Sequence, residues 1–195
     1  MSARELPLFP LRTVLFPGGV LPLRIFETRY VDLVRRCLKA DSGFGVVLLV
    51  RGSETGGSVR ATAAVGTEAR IVDFDPLDDG LLGLTCIGQE RIRVLRAWAQ
   101  EDKLNVGEVE TIAPDLVSAV PEDCSALPKL LKSHWQNVAS AYPNVVPRFE
   151  EAGWVANRLA ELMGLDVAVR QQLLETQDPI ARLRELRGLL KVTEG

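Results

Sequence analysis

Histidine occurs once in these 195 residues, at His134. Serine–histidine and cysteine–histidine nucleophiles, and most zinc sites, need an imidazole. His134 stands beside Trp135 on an amphipathic stretch, with no serine or cysteine partner suggested by the sequence, so it reads as a helix-surface or boundary residue. Cys37, Cys86 and Cys124 are widely spaced and form no C-x-x-C pair, which fits reduced, mostly buried thiols rather than a disulfide set or a metal site. Asp73, Asp75, Asp78 and Asp79 form the one tight acidic group. A calcium loop would need its glycine and closing glutamate at other offsets, so these aspartates read as a solvated hairpin turn. The chain also contains no G-x-x-x-x-G-K-[ST] run to cradle nucleotide phosphates. The chemistry expected is therefore non-enzymatic, with no metal and no cofactor.

Charge is distributed unevenly about a net value of −3. Residues 1–60 carry nine basic side chains against five acidic ones, whereas residues 61–122 carry five against twelve. Arg24, Arg29, Arg35, Arg36 and Lys39 fall close together in the basic part, a face that would concentrate anions such as RNA or acidic peptide segments. The plainer reading is a solvated helix face, because Asp32 can pair with Arg35 and Arg36 at helical spacing and nucleic-acid domains are usually strongly basic overall. RNA binding is the alternative to carry forward.

The elements that must position these residues follow from punctuation and period. Pro7, Pro10, Pro17 and Pro22 cut the opening into short extended pieces, since proline fixes φ and removes a donor, and no helix can form until after Pro22. Pro17-Gly18-Gly19 signals a turn. Residues 27–40 then predict a helix with Tyr30, Val34, Cys37 and Leu38 on its apolar side. Phe44–Val50 reads as a buried strand and Gly52–Ser58 as a mobile loop. Thr67–Phe74 and Leu81–Ile87 read as the two arms of a hairpin turning at Asp75–Gly80. Arg91–Val94 alternates as a half-buried strand, and a shift of phase at Gly107 between Leu104, Val106 and Val109, Thr111 predicts a bulge. Six or more short strands with one helix plugging an end predict a small barrel.

Near Pro121 the period lengthens from two to between three and four. Leu127, Leu131, Trp135, Val138 and Tyr142 mark one helix, ended by Tyr142-Pro143-Asn144. Val155, Leu159 and Leu162 mark a second over 148–163, stopped by Gly164. Asp166 caps a third to Glu175, and Asp178-Pro179 opens a fourth carrying Ile180, Leu183, Leu186 and Leu190. Each has one apolar stripe, so they are expected to pack together as a C-terminal helical bundle. The expected domains are 1–118, mostly strands, and 119–195, helical.

The opening from Leu6 to Tyr30, followed in order by Phe44-Gly45-Val46-Val47-Leu48, Val65-Gly66-Thr67-Glu68-Ala69-Arg70-Ile71, Asp78-Asp79-Gly80 and Gly88-Gln89-Glu90-Arg91-Ile92-Arg93-Val94, closely resembles the Lon N-terminal domain family. The helical tail resembles the free-standing members in Trp154–Leu162 and Leu173–Pro179. The family is the substrate-binding module at the front of Lon proteases. The resemblance implies an α+β fold, a PUA-like β pseudobarrel with a helical tail, and recognition of unfolded or apolar polypeptide segments in the manner of an adaptor or holdase. Phe16, Pro17, Arg24, Phe26 and Tyr30, around the first turn and helix, are the candidate peptide contacts. The start lacks the apolar run of a secretory signal and no stretch is long enough to span a bilayer, so the cytoplasm is expected.

Overall fold

The computed structural model describes residues 3–54, 59–78, 81–142 and 145–191, with the side chain of Arg60 left aside. Residues 55–58 of the expected loop, Asp79-Gly80 of the expected turn and Pro143-Asn144 lie outside the described residues. The chain divides into two compact units at Ala113/Pro114.

The first unit begins with β1 (Arg4–Leu11), a strand holding two prolines. Prolines belong where one edge of a strand is unpaired, and the register provides such places. β1 pairs antiparallel with β6 (Asn105–Thr111) over Arg4–Leu8, then parallel with β3 (Phe44–Gly52) over Leu8–Leu11. The two ladders overlap at Leu8, so Pro7 and Pro10 each lie in a stretch paired on one side. β4 (Val59–Pro76) joins β3 to β5 (Leu82–Ala99), and β5 pairs in turn with β6. The ladders β1–β3–β4–β5–β6 thus return on themselves as a ring of five strands. β2 (Val20–Ile25) is added outside the ring along Leu82–Ile87 of β5.

Several strand expectations change in the structure. β4 and β5 are each 18 residues long, so β4 starts well before the expected Thr67 and β5 runs the expected strands Leu81–Ile87 and Arg91–Val94 together as one. The irregularity near Gly107 lies instead in β5, where Leu95 is skipped between Val94↔Val109 and Arg96↔Glu108.

α1 (Thr28–Ala40) turns Tyr30, Leu33, Val34 and Cys37 into a core shared with Phe9, Ile25, Phe44, Leu84 and Leu104. Leu33 takes the place expected for Leu38, which is exposed. The ring of Tyr30 stacks on Phe9 with centroids 3.9 Å apart. A second cluster joins Leu6, Leu8, Val47, Ile92 and Val109.

The second unit contains α2 (Ala126–Val138), α3 (Ala152–Leu162), α4 (Val167–Glu175) and α5 (Pro179–Leu190). α3 begins four residues later than expected and packs against each of the other three. Its Ala152, Ala156 and Ala160 are fully buried beside Val155 and Leu159, and small side chains let neighbours approach closely. The Asp178 carboxylate caps α5 by accepting the Ile180 N–H at 3.0 Å, and Gly164 takes a positive φ of 61° where α3 stops. Arg182 is buried, donating to Asp115 at 2.8 Å, to Asn157 at 2.8 Å and to the Leu173 carbonyl at 2.9 Å. Asp115 and Ser118 tie the segment before α2 to these helices, the Ala152 N–H donating to the Ser118 carbonyl at 2.8 Å, while Leu116 and Val117 between them are exposed.

Candidate functional site

The segment Phe16-Pro17-Gly18-Gly19 sets β2 in place. The Gly19 N–H donates to the Phe16 carbonyl at 2.9 Å and Gly18 has φ +72°, the geometry of a type II turn with proline and glycine at its centre. Gly18 and Gly19 together oppose Gly88. The Gly18 N–H donates to the Gly88 carbonyl at 2.7 Å and the Gly88 N–H to the Gly19 carbonyl at 2.9 Å, which is a glycine bulge. A Cβ on Gly88 would stand 2.3 Å from the Phe16 carbonyl oxygen, so the turn lies on bare backbone.

This bulge also fixes which backbone groups of β2 face β5. Antiparallel pairs alternate between bonded and non-bonded. Counting from Gly19, Leu21, Leu23 and Ile25 bond to β5, while the backbone groups of Val20, Pro22 and Arg24 point away from it. Proline is tolerated at Pro22 because its missing N–H faces outward. Among the described residues no strand pairs with that outer edge.

Beside β2 lies a groove of about 680 Å³, lined by Pro22, Arg24, Asp75, Leu77, Asp78 and Thr85 together with Leu23, Phe74, Gly83 and Leu84. Its geometry follows from register. Arg24 opposes Gly83, and Gly83 opposes Asp75, so the side chains of Arg24 and Asp75 flank a position with none. Leu77 fills that gap, its Cδ2 coming within 2.9 Å of where a Gly83 Cβ would stand. The next row on the same face holds Pro22, Thr85 and Asp73. The result is an apolar floor with one guanidinium on one side and aspartates on the other. Phe26, just past β2, is 56% exposed and Phe74 is 53% exposed.

Among the five residues expected to contact peptide, the structure separates core from surface. Phe16 is fully buried and Tyr30 is 3% exposed, which removes both as contact surface: large aromatic area is more stable against the core than in water. Pro17 is half-buried at the turn, and Arg24 and Phe26 are exposed at the other end of β2, about 20 Å away along an extended strand. Of the groove's lining residues sequence reasoning selected Arg24 alone; Phe74, Asp75, Leu77 and Asp78 are among those it did not select. The available signal was the hairpin itself, whose symmetry brings residues before its turn alongside those after it, and so beside β2.

The basic cluster is largely occupied by acids. Arg29 is half-buried with its side chain largely covered, pairing with Glu27 at 2.9 Å and donating to the Lys103 carbonyl at 2.8 Å. Arg35 pairs with Asp32 at 3.2 Å, and Arg36 lies 3.9 Å from Asp102. His134 is exposed, its Nδ1 against the Leu130 carbonyl at 2.9 Å in its own helix. Burial pushes the Cys86 thiol up to about 12, with the nearby Cys37 adding to the shift, and burial likewise raises Cys37 and Cys124. All three cysteines are free and buried. Among the described residues no three histidine, cysteine, aspartate or glutamate side chains converge to hold a metal, and no helix is long and apolar enough to cross a membrane. What the surface offers is therefore apolar contact, an open strand edge and exposed charge.

Comparison with known proteins agrees with this architecture. A protein from Xanthomonas campestris, described as a Lon N-terminal domain protein, has a solved structure that matches with a TM-score of 0.80 and 39% identity, covering 95% of this chain and 98% of that one. The N-terminal domain of a Lon protease from the Mycobacterium avium complex shares the fold at a TM-score of 0.67 and 18% identity, covering 98% and 100%. Among curated proteins, Lon protease 2 of Myxococcus xanthus is 30% identical and the Lon protease of Anaeromyxobacter dehalogenans 29%, each over 95% of this chain. The chain spans 23% of the length of these two relatives. Its residues 5–192 match the family described as the ATP-dependent protease La (LON) substrate-binding domain, and the chain belongs to that family.

Proposed function

We propose that this chain is a non-catalytic polypeptide-binding module, an adaptor or holdase that recognises unfolded or exposed apolar segments. The observation that carries the reading is the family match over residues 5–192, in a chain whose first unit has an apolar groove at an exposed strand edge. A groove of this kind gains contact area from Pro22, Leu77 and Phe74 and orientation from Arg24 and the aspartates, without any group placed to break a bond. Phe26 and Arg24 are the proposed contacts from β2, with Pro17 at the far end of a longer segment. We assign binding to the first, strand-built unit as a PUA-like pseudobarrel domain, and a supporting role to the second unit as a helical bundle. The reading places the protein in the cytoplasm, where its thiols stay reduced.

Binding of the purified chain to denatured casein and to an array of unfolded-protein peptides tests it. Phe26→Ala is expected to weaken capture about tenfold, in line with truncating an aromatic contact worth more than 1 kcal/mol, while the circular dichroism and unfolding midpoint stay put because Phe26 is exposed. Arg24→Glu is expected to weaken it as well. Casein is expected to remain intact with or without ATP. Absence of binding to every peptide and to casein would remove the reading.

A further inference from the structure

The passage from the first unit to the second is tied to each of them close to the boundary. On the first side, Thr111 closes the ladder with Ile92 and the Ile112 N–H donates to the Arg91 carbonyl at 2.8 Å. On the second side, the Asp115 carboxylate accepts two donors of Arg182, at 2.8 and 3.4 Å. The Ala152 N–H then holds the Ser118 carbonyl at 2.8 Å, and Ala119 bridges to Glu151. Between these ties Ala113 and Pro114 are exposed, and neither makes a hydrogen bond among the described residues.

We propose that Asp115 is a latch: held by Arg182, it confines the freedom of the passage to Ala113-Pro114, and its release extends that freedom as far as Val117. Three observations support this. Arg182 is 1% exposed and is itself fixed, donating to the Asn157 side chain at 2.8 Å and to the Leu173 carbonyl at 2.9 Å, so it cannot follow Asp115 outward. Gly153, in the first turn of α3, leaves room for the carboxylate, since a Cβ there would stand 3.0 Å from Asp115 Oδ2 and 3.4 Å from the Asp115 Cβ. Leu116 and Val117 are each 85% exposed and add no packing of their own, so Asp115 and Ser118 are what hold them.

The joint that remains is short and stiff. Pro114 fixes its own φ and steers Ala113 away from helical backbone. Extended chain reaches about 3.5 Å per residue, so the closed latch limits the free reach to about 7 Å, whereas residues 113–117 set free would reach about 17 Å.

The test is backbone amide relaxation of the full chain by NMR, with order parameters read at Ala113, Leu116 and Val117. In the parent, Leu116 and Val117 are expected at the rigid level of about 0.85, with a fall below about 0.6 confined to Ala113. The double variant Asp115→Ala, Arg182→Met removes the pair whole, so no charge is left buried without its partner. There Leu116 and Val117 are expected to fall below about 0.6, while Val155 and Leu159 of α3 stay rigid. Low values at Leu116 and Val117 in the parent, unchanged values in the double variant, or a loss spread through α3 and α5 would overturn the latch. A rigid Ala113 in the parent would overturn the joint it is proposed to define.

Discussion

Replacing Gly88 with alanine tests how β2 is held. The new Cβ would stand 2.3 Å from the Phe16 carbonyl oxygen and 3.1 Å from Leu15 Cγ, about 1 Å short of ordinary contact with the first. The nearer atom is backbone, so the Phe16–Gly19 turn must retreat. A retreat of that size breaks both bonds that seat it, the Gly18 N–H to Gly88 and the Gly88 N–H to Gly19. Two backbone bonds contribute about 2 kcal/mol net, and residual overpacking against Leu15 adds about 1 kcal/mol. The expected destabilisation is therefore about 3 kcal/mol. Urea unfolding followed by Trp98 measures it in the first unit, with Trp135 and Trp154 changed to phenylalanine in parent and variant alike. Gly188→Ala is the control, because nothing lies within 4 Å of its added Cβ in α5, and it is expected to stabilise the second unit by about 0.5–1 kcal/mol. A loss below about 1 kcal/mol for Gly88→Ala would refute the argument that this glycine seats the turn.

Other outcomes follow from the charges and thiols. Asp115→Ala strips the buried Arg182 of its carboxylate and is expected to cost about 3 kcal/mol by urea unfolding of the second unit, much of it recovered when Arg182→Met is added. The Asp123 carboxyl is held below its usual range by the hydrogen bond from Arg184 and by the charges of Arg184 and Arg187. Its contribution is therefore complete above the ordinary carboxylate value and lost as pH falls through the lowered one; Asp123→Asn is expected to flatten thermal stability in that acidic window. With the Cys86 thiol pushed up to about 12 and all three cysteines buried, the native protein is expected not to react with Ellman's reagent at about pH 8, a pH near the ordinary thiol value, and to react at three sites in denaturant. Because the folded thiol holds its proton longer, that contribution favours folding below the ordinary thiol value and fades as pH rises from there towards the folded one.

Local chemistry made much of the first unit readable. Prolines and the Pro17-Gly18-Gly19 turn announced short extended pieces, and the capped helices of the tail were legible because Asp178-Pro179 and Gly164 act on their own neighbours. Long-range pairing was not. Gly88 looks like an interruption of β5 in sequence, yet its missing side chain is what a crossing turn requires, a reason held 72 residues away at Phe16. The same holds for Leu95, which is bulged only because β6 sets the register, and for Leu33, whose burial depends on which side of α1 meets the core. Within the site, the period marked Phe16 and Tyr30 as apolar without saying whether they face core or solvent. Asp75 and Asp78 read as mere turn residues until the hairpin was laid beside β2. Arg182 gave no signal, since a charged residue on a helix reads as solvated until its carboxylate partner is known.

The handover of β1 from β6 to β3 at Leu8 has a kinetic consequence. The first strand finds its antiparallel neighbour about a hundred residues later, so during synthesis it must wait until Val109 has left the ribosome before its ladder can be completed. Such distant pairing slows folding, and the waiting strand, apolar and unsheathed, is where a nascent chain of this protein is most open to aggregation or to chaperone capture.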